Sequence, residues 1–422
     1  MADDASARSE RSTILVGNAL AAQQWEMHLA AGPIDAAAAA WETPPVQSYA
    51  AWLDELWLEH ADRRGPALTA NQSLALWRRV VAESVEGSEL IGHAGAAEWA
   101  AAAWQTLHRW QIDPAEQRAA VNQDDYGALL AWCRAYRARL DGNGWIDRAE
   151  LEQALRPGVA ARSKLVIADL AESYPARTAL FARLAAAGVT IEEVSAPAVA
   201  GTRRAAKLAD AADELRAAFS WARRHLASHP LARVAVVVPM AARRRDETER
   251  LAAAELGGAE ARPCWTEGCT LGAEPTIGAA LDALLLCGAH ASYAAFGRWL
   301  RSPFWQMPAH ECFARARLDV ELRAELRSQL PFQVAYRCGL KELLEARAPQ
   351  SAAALAGALK AVGSARRATP SRWAHLWTRS LAELGWQPPA ARTTLLGWQS
   401  TLDELARLTP IVGEISLESA AT

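Results

Sequence analysis

The chain has 422 residues, a formal net charge of −3 and 51% hydrophobic residues. This length exceeds one ordinary hydrophobic core, so we expect two or three domains, and the hydrophobic fraction excludes an intrinsically disordered chain. The small net charge provides no overall positive field that would attract nucleic acid. No apolar run approaches the ~18 residues that cross a bilayer, and the polar start of the chain lacks the apolar core of a secretion signal. We therefore expect a cytoplasmic protein that makes no membrane contact.

The first part of the chain combines two extended segments with helices. Residues 13–18 form a short apolar run ended by turn residues, which is the pattern of a buried strand. A second extended piece at 45–48 precedes a tryptophan-rich helix over 49–60. From 70 to 157 the apolar residues recur at helical spacing. This spacing predicts an all-helical insertion over residues 70–157.

Two further strands are predicted after this helical insertion. Residues 164–169 are a continuous apolar run that ends in an acid, which is typical of a strand buried on both faces. A helix begins at Pro175 and ends at Gly188, and 189–194 form the next strand. Strand, helix and strand in this succession make a βαβ unit, and such units build parallel sheets.

A second α/β layer is predicted after residue 230. Residues 232–239 (ARVAVVVP) have the most pronounced strand pattern in the chain, and the spacing over 277–410 is helical. The sequence therefore predicts an α/β fold with two domains, residues 1–230 and 231–422, each interrupted by a helical insertion.

The distribution of lysine argues against a conventional ATP-hydrolysing site. A phosphate-binding loop follows the pattern G-x-x-x-x-G-K-[ST], because backbone N–H groups and the lysine bind the phosphates. The first strand is followed by GNALAAQQ (17–24), which has one glycine and no lysine. Only four of the 45 basic residues are lysines: Lys164, Lys207, Lys341 and Lys360. None follows a glycine-rich turn, and the dinucleotide motif G-x-G-x-x-G is also missing.

Asp169 lies where the Mg²⁺-binding carboxylate of an ATP-hydrolysing site would be. A carboxylate at the end of a buried strand can hold Mg²⁺ in nucleotide-hydrolysing enzymes. A functional version usually has a second acid beside it, but Leu170 follows here. The pattern favours an aspartate that ends a strand over a Mg²⁺ ligand.

Nuclease chemistry of the PD-(D/E)xK type requires an acid two residues before a lysine, next to a second acid for Mg²⁺. The residues at that position are Arg162, Ala205, Gly339 and Ala358. None is acidic, so this nuclease motif is missing from the 422 residues.

Cysteine and histidine form no metal-binding pattern. Cys264 and Cys269 are near neighbours without a second pair or nearby histidines, so we expect reduced thiols. Residues 141–147 (DGNGWID) resemble a calcium loop, but the glycine required at the sixth position is isoleucine, which predicts a turn before a helix. His225 and His229 are four residues apart on a helix, and a structural role is favoured for them. The sequence predicts no cofactor for this chain.

The remaining candidates for chemistry are arginines and aromatic residues. Arg243, Arg244 and Arg245 are consecutive, and arginine forks suit phosphate contacts. Asp246, Glu247 and Glu249 follow at once, which favours a solvated, self-paired helix face. The 18 tryptophans could stack on single-stranded bases, but their helical spacing favours packing between helices.

Six blocks of the sequence resemble one family in the same order along the chain. They are TILVGNALAAQQ (13–24), ETPPVQSYAAWLDELW (42–57), ALTANQSLALWRRVV (67–81), FSWARRHLASHPLARVAVVVPMAARRRDETERL (219–251), TLGAEPTIGAALDALLL (270–286) and RWLRSPFW (298–305). These blocks are similar to the N-terminal part of AddB-type helicase–nuclease proteins, in particular the long bacterial DNA-repair proteins related to AddB.

This resemblance implies a superfamily-1 helicase-like layout of two degenerate RecA-like domains, each with a parallel sheet and a helical insertion. It also implies a C-terminal PD-(D/E)xK nuclease domain beyond the chain end, where an iron–sulfur cluster and Mg²⁺ are expected. Many relatives carry a phosphate loop where this chain has GNALAAQQ, so no nucleotide-site residue is transferred from the family.

The leading hypothesis is a non-catalytic, DNA-binding scaffold within a recombinational-repair helicase–nuclease. DNA ends or single strands are the expected ligands, and an AddA-like motor helicase is the expected partner. Arg243, Arg244, Arg245 and Arg301 are the predicted phosphate contacts. Two alternatives stay open: an active ATP-dependent helicase with an atypical loop, and a helical protein-interaction scaffold that does not bind DNA.

Overall fold

The structure is a computed structural model. It describes residues 12–35, 45–60, 65–113, 123–156, 164–168, 170, 172–194, 202, 204–257, 264–265, 270–288, 292–324, 332–363, 365 and 367–421. The chain divides into two compact units, one formed by Met1–Ala196 with Pro275–Thr422 and the other by Pro197–Glu274. The domain boundary expected at 230/231 stays a prediction.

A four-stranded parallel sheet lies in the larger unit. Its strands are β1 (Ser12–Val16), β2 (Val46–Ser48), β3 (Lys164–Ala168) and β4 (Thr190–Val194), in the order β2-β1-β3-β4. All three neighbouring pairs are parallel. This sheet confirms the α/β class and the predicted parallel βαβ unit.

Helices cover both faces of this sheet, whose central strands β1 and β3 are largely apolar. The helices are α1 (Ala19–Asp35), α2 (Tyr49–His60), α6 (Leu151–Ala154) and α7 (Pro175–Ala186). Ile14 and Val16 of β1 pack with residues of α1 on one face. Leu15 points to the other face, where it joins the core formed with α2, α6 and α7. Alternation along one short strand therefore places β1 at the centre of a three-layer arrangement.

The predicted helices between β2 and β3 are present as α3 (Ala70–Ala82), α4 (His93–Trp110) and α5 (Gln123–Asn143), followed by α6. Helix α3 begins with a capping box in which Thr69 and Gln72 bond each other's backbone N–H groups. Trp77 and Tyr136 stack with ring centroids 4.0 Å apart at the centre of this helical core. The packing role expected for most tryptophans is confirmed here.

The C-terminal part of the larger unit is helical, as the spacing over 277–410 predicts. Its helices are α10 (Pro275–Leu286), α11 (Tyr293–Arg301), α12 (Ala309–Ala324), α13 (Phe332–Ala335), α14 (Lys341–Arg347), α15 (Pro349–Val362), α16 (Pro370–Glu383), α17 (Arg392–Arg407), α18 (Thr409–Val412) and α19 (Leu417–Ala421). A two-stranded antiparallel pair, β5 (Arg367–Ala368) and β6 (Ile415–Ser416), flanks α16–α18.

Residues far apart in sequence join this helical part to the first one. Ile411 of α18 packs into the core around Trp77. Thr69 Oγ1 donates to Glu404 Oε2 at 3.0 Å, and Arg79 Nη1 donates to the carbonyl oxygen of Ile411 at 3.0 Å. These contacts explain why residues from both ends of the chain form one compact unit.

The smaller unit contains α8 (Ala211–Ser228) and α9 (Arg245–Leu256), which pack on each other around Leu215, Phe219 and Ala252. The strand predicted at 232–239 is wrong as a paired strand, because this segment pairs with no strand in the described part of the chain. Its burial does alternate, and Val236 and Val238 pack against the two helices while Val237 is 90% exposed. The valine pattern produced alternating burial, but the described residues contain no neighbouring strand that hydrogen-bonds to this segment.

A buried carboxylate, Glu152, ties three helices together beneath the sheet. Its Oε1 accepts hydrogen bonds from Tyr49 Oη at 2.7 Å and from Tyr174 Oη at 2.6 Å. The guanidinium of Arg177 lies 4.3 Å from the centre of each tyrosine ring. Burial and the bond to Glu152 raise the pKa of Tyr174 to about 12, and burial also raises the pKa of Tyr49.

Stability is expected to fall as the pH rises from about 10 to about 12. A tyrosine in the unfolded chain ionises near pH 10, whereas Tyr174 keeps its proton in the folded chain up to about 12. Because the pKa of Tyr174 is higher in the folded chain than in the unfolded chain, its protonated hydroxyl stabilises the fold fully below pH 10. This stabilisation is lost as the pH rises from 10 towards 12. Urea unfolding between pH 9 and 11 should therefore show a shallower decline in Tyr174→Phe than in the wild type. Equal slopes in the two proteins would contradict this expectation.

No helix among the described residues has the length and apolar character needed to cross a membrane.

Candidate functional site at the carboxyl edge of the sheet

The topology of the parallel sheet points to its carboxyl edge between β1 and β3. From β1 the chain crosses through α1 to β2 on one side, whereas from β3 it crosses through α7 to β4 on the other side. Ligands of open α/β sheets bind where the connections diverge in this way. Gly17 and Asn18, which follow β1, are exposed at this position.

Local hydrogen bonds to Asn18 close the turn after β1. Asn18 Oδ1 accepts from the backbone N–H of Ala21 at 2.9 Å, and the carbonyl oxygen of Asn18 accepts from the N–H of Ala22 at 3.1 Å. Asn18 is therefore the N-cap of α1, and it occupies one of the N–H groups that an open phosphate loop would offer.

The cation that a triphosphate needs is not supplied by lysine at this edge. The only lysine within the strands of this sheet is Lys164, which begins β3 and therefore lies at the opposite, amino edge. Its Nζ pairs with Glu192 Oε2 at 2.6 Å. The edge is therefore a point where the chain connections diverge, and it lacks the lysine that a phosphate-binding loop uses. Asp169, which the sequence places at the end of β3, lies outside the described residues.

The three predicted phosphate contacts of the smaller unit are consecutive in sequence, but they differ in whether their guanidinium groups are already paired with an acid. Arg244 Nε pairs with Glu247 at 3.0 Å, and its Nη2 donates to the carbonyl oxygen of Ala211 at 3.1 Å. Arg245 pairs with Glu249 at 3.0 Å and lies over the ring of Trp265. Arg243 is exposed, and no ion pair of its side chain occurs among the described residues. The self-paired helix face favoured by the sequence is therefore present for two of the three arginines.

Arg301, the fourth predicted contact, belongs to the larger unit. Its Nη1 donates to Asp319 Oδ2 at 2.7 Å, and Arg323 pairs with the same oxygen at 2.9 Å. These three residues and Val320 line an open depression of about 700 Å³. Gly297 makes room for the carboxylate, because a Cβ there would lie 2.6 Å from Asp319 Oδ1. Two arginines share one buried acid, so the depression keeps a net positive charge.

The segment that resembles a calcium loop has a structural role. Gly144 takes a positive φ of 67°, and Asp147 caps the helical turn that follows by accepting from the N–H of Ala149 at 2.8 Å. The predicted turn before a helix is confirmed. The described residues contain no group of three histidine, cysteine, aspartate or glutamate side chains that could hold a metal ion. The cysteines with described side chains, Cys133, Cys264, Cys287 and Cys312, are free of disulfides.

Sequence reasoning missed an aromatic arrangement on α8. The side chains of Trp221, His225 and His229 stack in a row along the exposed side of this helix. Their spacing of four residues places them on one helix face, so the sequence contained the signal.

These features define a doubly wound parallel α/β protein with large helical additions and a lysine-free carboxyl edge. The comparisons refine this class no further, because neither a search of protein-family models nor a search of curated proteins found a match.

Proposed function

We propose that this chain is the non-catalytic, DNA-binding scaffold portion of a cytoplasmic helicase–nuclease that repairs DNA breaks. In this proposal it consists of degenerate RecA-like domains of the AddB type. The scaffold holds DNA ends or single strands while a separate AddA-like motor moves the DNA. Mg²⁺ and an iron–sulfur cluster would serve a nuclease domain outside this chain.

The observation that carries the proposal is the carboxyl edge between β1 and β3. The chain connections diverge there, as they do where open α/β sheets bind ligands, but Asn18 caps the helix that a phosphate would approach. No lysine precedes Lys164 in the sequence, and that lysine lies at the other edge of the sheet. An edge of this kind supports a role that depends on shape and contact and does not require ATP hydrolysis.

Binding measurements on the purified chain test the proposal and both alternatives. Fluorescence anisotropy with single-stranded and blunt-ended DNA at two salt concentrations should show binding that weakens as salt rises. Isothermal titration with ATP and Mg²⁺ should show no binding. Tight ATP binding would favour the active helicase, and failure to bind either DNA at both salt concentrations would favour the protein-interaction scaffold.

Arg243 provides a sharper test because its guanidinium has no ion pair among the described residues. Arg243→Ala is expected to weaken DNA binding and to reduce the slope of log K against log salt by about 0.7 for each single-strand phosphate that the variant no longer neutralises. Arg250→Ala is the matched control, since it removes an equal charge from an exposed position on α9. An identical salt slope in both variants would remove Arg243 from the set of phosphate contacts.

A further inference from the structure

Three side chains form a stacked row, here called the α8 ladder, on one line of helix α8. The ring centroids of Trp221 and His225 are 5.3 Å apart with an interplanar angle of 11°. Those of His225 and His229 are 4.7 Å apart with an angle of 24°. Trp221 and His225 lie one above the other on the helix, and His229 is the residue that ends it, so the three rings follow each other towards its C-terminal end.

The outer end of the α8 ladder is open. Side chains on a helix lean towards its N-terminus, so the outer face of the Trp221 ring lies over the preceding turn. The residue at that position is Ala217, which is exposed and has only a methyl group. Trp221 is itself 52% exposed. A half-exposed aromatic ring next to a methyl side chain can accept another planar ring.

Packing within α8 does not require this row. The helix is attached to its own unit through Leu215, Phe219 and Ala222, which are buried on a different side. Exposed side-chain pairs four residues apart stabilise a helix only slightly. A structural purpose therefore accounts poorly for a large, half-exposed indole at this position.

Positive charge accompanies the α8 ladder. Arg224 directly precedes His225, is exposed, and forms no ion pair within the described ranges. On the wheel of an ideal helix it lies beside the line of Trp221. Glu214 lies two turns before Trp221 on α8. Arg216 lies in the same stretch of the helix, but its charge is paired with that of Asp213. A ligand with planar rings and negative charge would thus meet the rings first and Arg224 beside them.

We infer that the α8 ladder is a stacking platform for the bases of single-stranded DNA, with Arg224 contacting a phosphate. Single-stranded DNA carries both unpaired planar bases and regularly spaced negative charge. Duplex DNA hides its base faces within the helix and does not suit the platform. The inference rests on the proposed DNA-binding function and assigns one surface to it.

Oligonucleotides with and without bases test the inference. The probes are an oligothymidylate of about 15 nucleotides, an abasic strand of equal length, and a duplex. The wild type should prefer the oligothymidylate to the abasic strand. Trp221→Ala should weaken oligothymidylate binding by about tenfold and abolish that preference, because stacking is the interaction that it removes. Trp221→Phe should retain most of the preference, since a flat ring remains.

Trp99→Ala is the matched control, because Trp99 is 79% exposed on α4 and belongs to no ladder. It should bind all three probes like the wild type. Equal oligothymidylate affinity in Trp221→Ala and Trp99→Ala would overturn the platform, while retained duplex-end binding would leave the proposed scaffold function standing. Failure of the wild type to bind any of the probes would overturn both.

Discussion

Replacement of Asp147 by alanine is expected to lower the free energy of unfolding by about 3–5 kcal/mol, which is the usual cost of removing one member of a buried, charged group. The carboxylate is buried between α3, α5 and the turn before α6. Its Oδ2 accepts from Tyr136 Oη at 2.5 Å and from Ser73 Oγ at 2.7 Å, while Oδ1 accepts from the N–H of Ala149. Alanine would remove the acceptor that these donors share, and although the hydroxyls of Ser73 and Tyr136 lie 2.9 Å apart and can bond each other, one hydroxyl and the N–H of Ala149 would lose their partner.

Variants of neighbouring residues separate this effect from a general loss of structure. Asp147→Asn keeps the shape and one oxygen acceptor, so it should cost less than alanine. Asp141→Ala removes an exposed carboxylate from the same segment and should change stability by no more than about 0.5 kcal/mol. Urea denaturation measures the free energy of unfolding of all three variants, and unchanged m-values would show that the variants differ only in stability. Similar stabilities for Asp147→Ala and Asp141→Ala would show that the buried hydrogen bonds contribute little.

Much of the architecture follows from local patterns in the sequence. Short apolar runs locate the central strands β1 and β3, because strands covered on both faces are largely apolar. Helical spacing locates most helices between 70 and 154 and between 275 and 412 to within a few residues. The self-pairing of Arg244 and Arg245 follows from acids placed three and four residues later.

Long-range arrangement could not be predicted in the same way. Segment 232–239 has the strongest strand pattern, but pairing depends on a neighbour that no local pattern specifies. Tyr49 and Glu152 are 103 residues apart in sequence, and only the folded chain brings them together. The packing of Ile411 into the core around Trp77 is of the same kind.

The candidate site likewise has features that the local sequence predicts and features that only the folded chain reveals. The missing lysine after β1 is visible in the sequence, but the role of Asn18 as the cap of α1 and the position of Lys164 at the far edge required the sheet order. The α8 ladder was accessible from spacing alone, whereas the open face of Trp221 required its exposure. The absence of a phosphate-loop lysine is thus predictable from the sequence, whereas the exposure of a particular side-chain surface is not.

Gly65→Ala is expected to destabilise the protein by about 3 kcal/mol or more, the upper range for overpacking in a rigid site. A Cβ at this position would overlap the carbonyl oxygen of Gly144 and lie 2.8 Å from its carbonyl carbon. Backbone atoms cannot rotate away as a side chain can. The two segments are also hydrogen-bonded nearby, since Leu68 N donates to the carbonyl oxygen of Ile146 at 2.9 Å.

Gly127→Ala is the control for this substitution, because a Cβ at Gly127 meets nothing within 4 Å on helix α5. Alanine there should raise stability by up to about 1 kcal/mol through its higher helix propensity. The same mutation should therefore have opposite signs at the two glycines, which thermal and urea unfolding can both detect. A Gly65→Ala protein as stable as Gly127→Ala would mean that segments 65–68 and 144–146 do not meet.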